Sequence, residues 1–234
     1  MRVKKTYKRE ELLHELSLLT GEMTSNQQMD LLKHCSVKRF KVGEVISGEG
    51  DVADRLFFIL KGVAKCCIRG DADRWQIVRL VKVGDYFGYR AFFANQNHMA
   101  SYIAMTEMDI CVISMDFIKR CLDDNTFLKD FFLKRLACSL WFSDFRFVCM
   151  IQKHLRGRMA ATLLGLGENF GYREDGKTLA FETTRAELAN LSNMITANAI
   201  RTLSAFVSEG LITMNKRRIT ILDEEALKEI SIHD

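Results

Sequence analysis

The chain has 234 residues, enough for one large domain or two small ones, and its 48% apolar and 27% charged residues are typical of a soluble globular protein. The formal net charge of +4 is too small to indicate nucleic-acid binding by itself. No apolar run approaches the roughly 18 residues of a transmembrane helix, and the charged residues 1–5 are not followed by the apolar segment of a targeting signal. We therefore expect a cytoplasmic protein without a membrane partner.

The first elements along the chain are short helices, because apolar residues recur at helical spacing between positions 10 and 35. Residues 37–115 follow as a β-region, in which short runs rich in Val, Ile and Phe alternate with glycines. Regular short strands with glycine turns are typical of a barrel or sandwich. The first predicted domain, residues 1–125, is therefore β-rich with leading helices. The clearest strand runs are residues 55–60, 76–81 and 110–113.

The cysteines do not have the spacing of a metal site. They number seven, and no C-x-x-C motif occurs among them. Several stand in apolar runs, where a free cysteine behaves as a small hydrophobic side chain. We interpret all of them as reduced and structural, in preference to a redox or iron–sulfur role: Cys35, Cys66, Cys67, Cys111, Cys121, Cys138 and Cys149.

A long helix is predicted over residues 126–155, after a break at residues 123–125. Its apolar residues repeat at steps of three and four, the heptad spacing of a coiled coil. Others, such as Trp141 and Phe145, lie off this seam, so the helix has two apolar surfaces to cover. We expect one to pack on its own β-domain and the other on a second copy; the alternative is a helix buried in a monomer. The predicted dimer residues are Leu133, Leu136, Leu140, Phe147 and Met150.

The densest signal is a helix-turn-helix in the last predicted domain, residues 156–234. Thr184 and Glu187 have the spacing of a capping box at the start of its first helix. Asn193 stands at the turn, where a left-handed backbone is needed. The second helix, about residues 195–208, is predicted to bury Ile195, Ala199, Leu203 and Phe206 or Val207.

A hairpin with a cationic tip follows, formed by apolar runs on either side of residues 215–218. A helix-turn-helix pattern alone is compatible with any pair of antiparallel helices, but with this wing it indicates a DNA-binding module. Around it, residues 153–218 contain ten Lys or Arg and six Asp or Glu. A mildly basic surface of this kind is also compatible with ordinary solvation, so the motif carries the prediction.

A recognition helix presents the side chains near its N-terminus to base edges in the major groove. Asn198 and Arg201 are the best candidates for base readout, because Asn pairs well with adenine and Arg with guanine. Thr196 and Thr202 are further candidates for base or phosphate contact. The wing cations are expected to bind phosphate, which adds affinity and salt dependence but little specificity. The full predicted DNA-binding set is Thr184, Arg185, Thr196, Ala197, Asn198, Arg201, Lys216, Arg217 and Arg218.

Together these segments resemble the Crp/Fnr family, the relatives of the cyclic-AMP receptor protein and the fumarate–nitrate regulator. The resemblance covers about residues 40–223 and is carried by residues 40–46, 50–51, 56–62, 83–88, 157–160 and 184–189. It implies an α+β fold: an N-terminal cyclic-nucleotide-binding-like β-barrel (a double-stranded β-helix or jelly roll), a long dimerisation helix and a C-terminal winged helix-turn-helix. It also implies a homodimer, an effector pocket in each barrel, and RNA polymerase as a partner.

The effector positions depart from the family's cyclic-nucleotide pattern. The family's ribose-binding Glu corresponds to Tyr89, and its phosphate-binding Arg-Ser pair corresponds to Met99 and Ala100. A cyclic phosphate buried without a cation is costly, so we expect an effector other than cyclic AMP, of unknown identity. The residues that the resemblance places at the pocket are Gly88, Tyr89, Arg90, Asn97, His98, Met99, Ser143 and Asp144.

Two further hypotheses concern chemistry. Haem-binding relatives exist, and His98, Met99 and His154 are candidate ligands for a haem- or redox-based sensor on the same fold. An iron–sulfur sensor is not expected, because only Cys35 precedes the β-region. An enzyme is not expected either, because no Ser/His/Asp order, paired carboxylates or P-loop stands in a supporting context. We predict a dimeric, sequence-specific DNA-binding transcription regulator controlled by an effector.

The DNA site is expected to differ from the family's usual one. The family's recognition helix commonly opens with Ser-Arg-Glu-Thr, whereas residues 195–198 here read Ile-Thr-Ala-Asn. Only Arg201 is kept from the usual set. The base-reading chemistry is therefore changed at the start of the helix.

Overall fold

The computed structural model describes residues 7–71 and 74–234 of the chain. It divides into two compact units, Met1–Leu140 and Trp141–Asp234. The charged first residues, from which we expected no targeting signal, lie outside the described residues. Within the described ranges, no helix is both long and apolar enough to cross a membrane.

Three short helices open the first unit, as the sequence predicts: α1 (Arg9–Glu15), α2 (Ser17–Thr20) and α3 (Ser25–Lys33). α3 begins at a capping box, in which the Thr24 hydroxyl accepts from the Gln27 backbone N–H and the Gln27 side chain accepts from the Thr24 backbone N–H. The apolar sides of these helices bury Leu16, Leu19 and Leu31 completely. The helices therefore cover part of the β-structure that follows.

The β-region of the first unit contains the predicted strand runs as β3, β5 and β8. Its strands are β1 (Cys35–Phe40), β2 (Val45–Ser47), β3 (Arg55–Lys61), β4 (Ala64–Arg69), β5 (Trp75–Val81), β6 (Tyr86–Phe87), β7 (Ser101–Ala104) and β8 (Met108–Ser114). In the described residues they form two antiparallel four-stranded sheets, in the orders β1-β8-β3-β6 and β2-β7-β4-β5. The chain passes from one sheet to the other at most turns, which is typical of a jelly roll. The predicted jelly roll is confirmed, but the sheets do not close into a barrel.

Strand β3 is buried on both faces. Leu56 and Phe58 pack with the leading helices, whereas Phe57 and Ile59 pack between the two sheets. This alternation follows from the period of two residues in a strand. It explains why residues 55–60 are a continuous apolar run instead of an alternating one.

Three helices follow the strands or connect them: α4 (Tyr89–Phe93), α5 (Met115–Asp124) and α6 (Thr126–Gln152). The predicted break falls at Asn125, whose side-chain oxygen accepts from the Leu128 N–H at 2.8 Å and so caps α6. Leu128 and Phe132 are buried in the core on the helical side. From Leu133 onward the helix exposes large apolar side chains.

The second unit contains the expected helix-turn-helix and wing. Its elements are α7 (Leu155–Phe170), α8 (Arg185–Leu191), α9 (Thr196–Ser208), β9 (Ile212–Asn215), β10 (Arg218–Ile221) and α10 (Glu224–His233). Helix α7 passes through Gly167 and continues to Phe170. A Cβ at position 167 would lie 2.2 Å from the Tyr172 hydroxyl. Glycine there makes room for Tyr172 and does not end the helix.

Gly62, in the turn between β3 and β4, provides a test of the jelly-roll packing. Its φ is +92°, and an added Cβ would lie 2.6 Å from the Glu107 carbonyl oxygen. We predict that Gly62→Ala lowers the free energy of unfolding of the first unit by about 2–4 kcal/mol, because backbone strain and a backbone clash add. Urea unfolding followed by Trp75 fluorescence, with Trp141 replaced by Phe, measures the loss.

The matched control is Gly84→Ala. Gly84 has a similar φ of +88°, but no heavy atom lies within 4 Å of the added Cβ. The Gly84→Ala variant should therefore lose only about 1–2 kcal/mol of unfolding free energy, which is the cost of a left-handed backbone for a residue with a Cβ. Equal losses of unfolding free energy in the two variants would contradict the close contact between position 62 and the Glu107 carbonyl oxygen.

Candidate functional site

The first helix of the helix-turn-helix begins at the predicted capping box. The Thr184 hydroxyl accepts from the Glu187 backbone N–H at 3.1 Å, and the Glu187 carboxylate accepts from the Thr184 backbone N–H at 2.9 Å. Leu188 and Ala189 are buried, so the helix packs through the short apolar face that the sequence indicates. Asn193 has a φ of 51°, which confirms the left-handed turn before α9.

Two arginines hold the end of α8 and the turn. The Arg146 guanidinium donates to the Leu191 carbonyl oxygen at 3.2 Å, and that of Arg158 donates to the Asn193 carbonyl oxygen at 3.0 Å. Burial lowers the pKa of Arg146. Cations at a helix C-terminus satisfy its free carbonyls and oppose its dipole. Sequence reasoning missed both residues, since each lies on a different helix, far from the motif in sequence.

The inner face of α9 is formed by Ala199, Leu203 and Phe206, as predicted. Ile195 was also expected to lie on this face, which is wrong, because its side chain is 65% exposed. Of the two alternatives Phe206 and Val207, Phe206 is the buried one, and Val207 is 42% exposed. Ile195 precedes the helix in extended backbone, so its side chain leaves the inner stripe.

Thr202 is a further correction on α9. It was a candidate for DNA contact, but it is buried and stands three and four residues from Ala199 and Phe206, on the same face of the helix. Its hydroxyl therefore does not belong to the exposed surface of α9.

The exposed face of α9 begins with Thr196 and Ala197 and continues through Arg201. Asn198 is half-buried at its edge. The Asn198 side-chain oxygen accepts a hydrogen bond from the Arg201 guanidinium. The two predicted readout residues are thus in contact, and Asn198 orients Arg201.

The wing is a tight hairpin in which Arg218 pairs with Asn215. Lys216 adopts a φ of 56° at its tip, and Lys216 and Arg217 are exposed. Arg218 is engaged differently, because its Nε donates to the Glu182 carboxylate at 2.9 Å. Hydrogen bonding by Arg218 lowers the pKa of Glu182.

Glu182 is a residue that sequence reasoning missed. Besides Arg218, it accepts from Arg173 at 2.7 Å, so it binds two cations at the base of the wing. The other predicted DNA-binding residues divide by exposure: Arg185 is exposed on the first turn of α8, whereas Thr184 is half-buried by its capping role.

The residues predicted for an effector pocket do not share one environment. Gly88 and Tyr89 are buried, Arg90 is exposed on α4, and Met99 is 69% exposed. His98 is buried, and burial lowers the pKa of its imidazole. Its backbone exchanges hydrogen bonds with Gly50 and Asp51, on the loop before β3. The two residues expected from the long helix, Ser143 and Asp144, are exposed on α6, and Asn97 is also exposed.

A polar row that sequence reasoning missed lies inside the jelly roll. Arg79 on β5 stands opposite Cys66 on β4, which in turn stands opposite Tyr102 on β7. Arg79 donates to the Tyr102 hydroxyl at 3.4 Å and to the Ser139 hydroxyl of α6 at 3.3 Å. Burial raises the pKa of the Tyr102 hydroxyl and of the Cys66 thiol.

The candidate haem ligands are also separated by environment, since His98 is buried while Met99 and His154 are exposed. Over residues 7–71 and 74–234, no three His, Cys, Asp or Glu side chains lie close enough together to hold a metal ion. All seven cysteines are free thiols in the described structure.

Two family models match the chain along the described architecture. The cyclic nucleotide-binding domain model matches residues 37–125, and the Crp-like helix-turn-helix domain model matches residues 157–230. Together these ranges make up more than two thirds of the chain. The chain belongs to the Crp/Fnr family of transcription regulators.

Curated Crp/Fnr relatives match most of the chain. The CRP-like cAMP-activated global transcriptional regulator of Mycobacterium tuberculosis is 25% identical over 198 residues, which cover 84% of this chain and 88% of that protein. The transcriptional regulator SdrP of Thermus thermophilus is 27% identical over 195 residues, covering 82% of this chain and 92% of that protein. The relatives are transcription regulators, which confirms the prediction of a DNA-binding regulator and not an enzyme.

Solved Crp/Fnr structures share the fold. FixK2 from Bradyrhizobium japonicum superposes with a TM-score of 0.76 at 16% identity, covering 84% of this chain and 96% of that one. A Crp/Fnr-family regulator from Eubacterium rectale gives a TM-score of 0.76 at 18% identity, covering 92% and 97%. The predicted α+β architecture is thereby confirmed.

Two residues stand where the resemblance places the family's cyclic-nucleotide contacts, and neither has the charge of the residue expected there. Tyr89, at the position of the ribose-binding Glu, packs its ring 5.6 Å from that of Phe132. Met99, at the position of the phosphate-binding Arg, has no charge and points into solvent. One of these two positions is therefore an aromatic packing contact, and the other is an uncharged surface side chain.

The capping box gives a prediction for the helix-turn-helix. Thr184→Ala should lower the free energy of unfolding of the second unit by about 1 kcal/mol, because the Glu187 N–H loses its acceptor. Thr184→Ser should retain most of the stability. Urea unfolding followed by far-ultraviolet circular dichroism measures both variants.

Thr213→Ala is the control for this prediction. Thr213 is exposed on β9, so its loss should change stability by less than about 0.5 kcal/mol. The capping role is refuted if Thr184→Ala is as stable as this control.

Proposed function

We propose that the protein is a homodimeric, sequence-specific DNA-binding regulator controlled by an effector other than cyclic AMP. The observation that carries the proposal is the exposed face of α9, which begins at Thr196 and includes Arg201, followed along the chain by a hairpin with exposed cations at its tip. Such a helix fits the major groove with its N-terminal residues at the base edges. A regulator of this kind acts on the chromosome, and so in the cytoplasm.

The proposed contacts divide into readout and anchoring. Arg201 reads a guanine, and Asn198 both orients Arg201 and is available to an adjacent base. Thr196 and Ala197 lie at the exposed start of the helix, where they contact base edges or thymine methyl groups. The anchoring residues, which bind phosphate, are Thr184, Arg185, Lys216, Arg217 and Arg218. Of these, Arg218 reaches phosphate only by sharing or leaving Glu182.

Replacing Arg201 and replacing Arg217 should change DNA binding in different ways. On a DNA site selected from random sequence, Arg201→Ala should weaken binding about 10–100-fold and relax the preference at one base position. Arg217→Ala should weaken binding to all sequences and lower the slope of log affinity against log salt by about one. Mobility shifts at several salt concentrations measure both. Uniform weakening by Arg201→Ala would refute its role in readout.

We further propose that α6 is the dimer helix. Leu133, Leu140 and Phe147 of the predicted seam are each more than 60% exposed in the single chain. Leu136 and Met150, by contrast, are half-buried, and Ile151, next to Met150, is 65% exposed. Contiguous apolar surface of this kind marks an interaction site. A second copy of the helix covers it with the same heptad pattern.

Two leucines of equal exposure test this dimer. Leu140 and Leu18 are both 63% exposed, but Leu18 lies on α2, away from the seam. Leu140→Glu should convert the dimer to a monomer at micromolar concentration, because two carboxylates would face each other in an apolar seam. Leu18→Glu should leave the dimer intact. Sedimentation velocity decides, and a dimeric Leu140→Glu variant would contradict the assignment.

The remaining parts of the proposal follow the family. We assign residues 1–125 to effector sensing, 126–155 to dimerisation and 156–234 to DNA binding. On family resemblance alone, the DNA-bound dimer recruits or blocks RNA polymerase. Effector control requires a site in the first unit, for which the interior of the jelly roll is the natural place.

A further inference from the structure

Arg79 is a cationic side chain turned into the interior of the jelly roll. Directly opposed residues of antiparallel strands point to the same face of a sheet. Arg79, Cys66 and Tyr102 therefore form one row across β5, β4 and β7. Cys66 and Tyr102 belong to the apolar cluster between the two sheets, so the row faces the other sheet.

The hydrogen bonds of Arg79 are incomplete. Its two terminal nitrogens donate to neutral hydroxyls, those of Ser139 and Tyr102. Its Nε is enclosed and has no hydrogen-bond partner. Hydroxyls satisfy donors but do not neutralise a charge, so the guanidinium is left with an open donor and a full positive charge.

No counter-charge accompanies Arg79 among the described residues. The groups with the largest electrostatic effect on it are Tyr102, Cys66 and Tyr89, none of which is a carboxylate. Burial raises the pKa of the Cys66 thiol, so this residue stays neutral near pH 7. Arg79 is half-buried. A cation partly removed from water without an anion is costly, and proteins ordinarily pair such a charge.

We propose that Arg79 anchors the effector site and that the effector is a small organic carboxylate with an apolar body. This rests on the proposed function, in which the first unit binds an effector. A carboxylate matches the fork of a guanidinium and accepts from its free Nε. Its single negative charge balances one enclosed cation. A phosphate monoester carries about −1.5 to −2, which is more negative charge than one guanidinium balances.

The side chains around Arg79 indicate that the rest of the proposed carboxylate ligand is apolar. The Phe87 ring stacks on Tyr102 with 4.1 Å between centroids, and on its other neighbour Phe57 with 4.7 Å. Val81 lies on the same strand as Arg79, two residues farther on the same face, and belongs to the same cluster. A ligand that reaches the guanidinium therefore lies against aromatic and aliphatic walls.

Thermal unfolding of the full chain with matched ligands tests the site. Acetate, butanoate and benzoate are each compared with the uncharged amide at constant ionic strength. At ten times its dissociation constant, a bound carboxylate should raise the melting temperature by about 3–6 °C, whereas its amide should not. Inorganic phosphate, added in the same way, should give a smaller shift than the best carboxylate.

Substitutions test whether the rise in melting temperature with carboxylates depends on Arg79. Arg79→Met should abolish the difference between carboxylate and amide, and without ligand it should melt no lower than the parent, because an uncompensated charge is removed. Arg74→Met, which alters an exposed arginine just before β5, should keep the full difference. If Arg79→Met does not fold, Tyr102→Phe keeps the ring and should weaken carboxylate binding about 2–10-fold.

Two results would overturn the carboxylate site: no carboxylate exceeds its amide in the parent protein, or the difference persists in Arg79→Met. A larger shift with phosphate than with every carboxylate would overturn the choice of ligand. Mobility-shift assays on the same samples distinguish a failure of the carboxylate site from a failure of the proposed DNA-binding function. Loss of DNA binding in every condition contradicts the function, whereas a shift that does not depend on Arg79 contradicts only the site.

Discussion

The first unit depends on the burial of β3 and β8 on both faces. Their odd and even residues pack into two different cores, one against helices and one against the second sheet. Strands of this kind leave no polar face, so every polar group near them must be paired with another polar group. Against this background, the guanidinium of Arg79 stands out, because its Nε is enclosed without a hydrogen-bond partner. The same packing that stabilises the sandwich makes an unbalanced charge in it costly, which is the physical basis for a ligand of opposite charge.

In the second unit, arginines fix the geometry of the helix-turn-helix before DNA is present. Arg146 and Arg158 satisfy carbonyl oxygens at the end of α8 and in the turn. Arg201 is held by Asn198, and Arg218 by Glu182. Preorganised donors lose less conformational entropy on binding. Glu182 also reduces the net charge at the base of the wing, so affinity for phosphate there is moderated while Lys216 and Arg217 remain at the tip.

Much of this structure could be predicted from local patterns. The capping box, the left-handed Asn193, the strand runs and the long helix each depend on residues close together in sequence, where spacing and conformation are linked. The face of a helix on which a given side chain lies was less predictable. Ile195 and Thr202 were assigned to the wrong faces of α9, because the extended backbone before the helix and the width of its buried stripe are set by packing.

The polar row of the jelly roll could not be predicted for a different reason. Arg79 is one charged residue within an apolar strand run, and nothing local tells which face of the sheet it occupies or what it meets there. Its partners come from β4, β7 and α6. The register between strands of distant sequence position decides this, and register is a property of the whole fold. The sequence did indicate that the family's cyclic-nucleotide contacts are replaced, but not what replaces them.

The central claim is that two copies of this chain read DNA together, and selection of bound sequences from random duplex DNA tests it most directly. A symmetric dimer of recognition helices binds half-sites about one helical turn, or 34 Å, apart. The account predicts that the enriched sequences are near-palindromic, with half-site centres separated by about 10 base pairs. Enrichment of a single half-site without a symmetric partner, or no enrichment above competitor DNA, would contradict it.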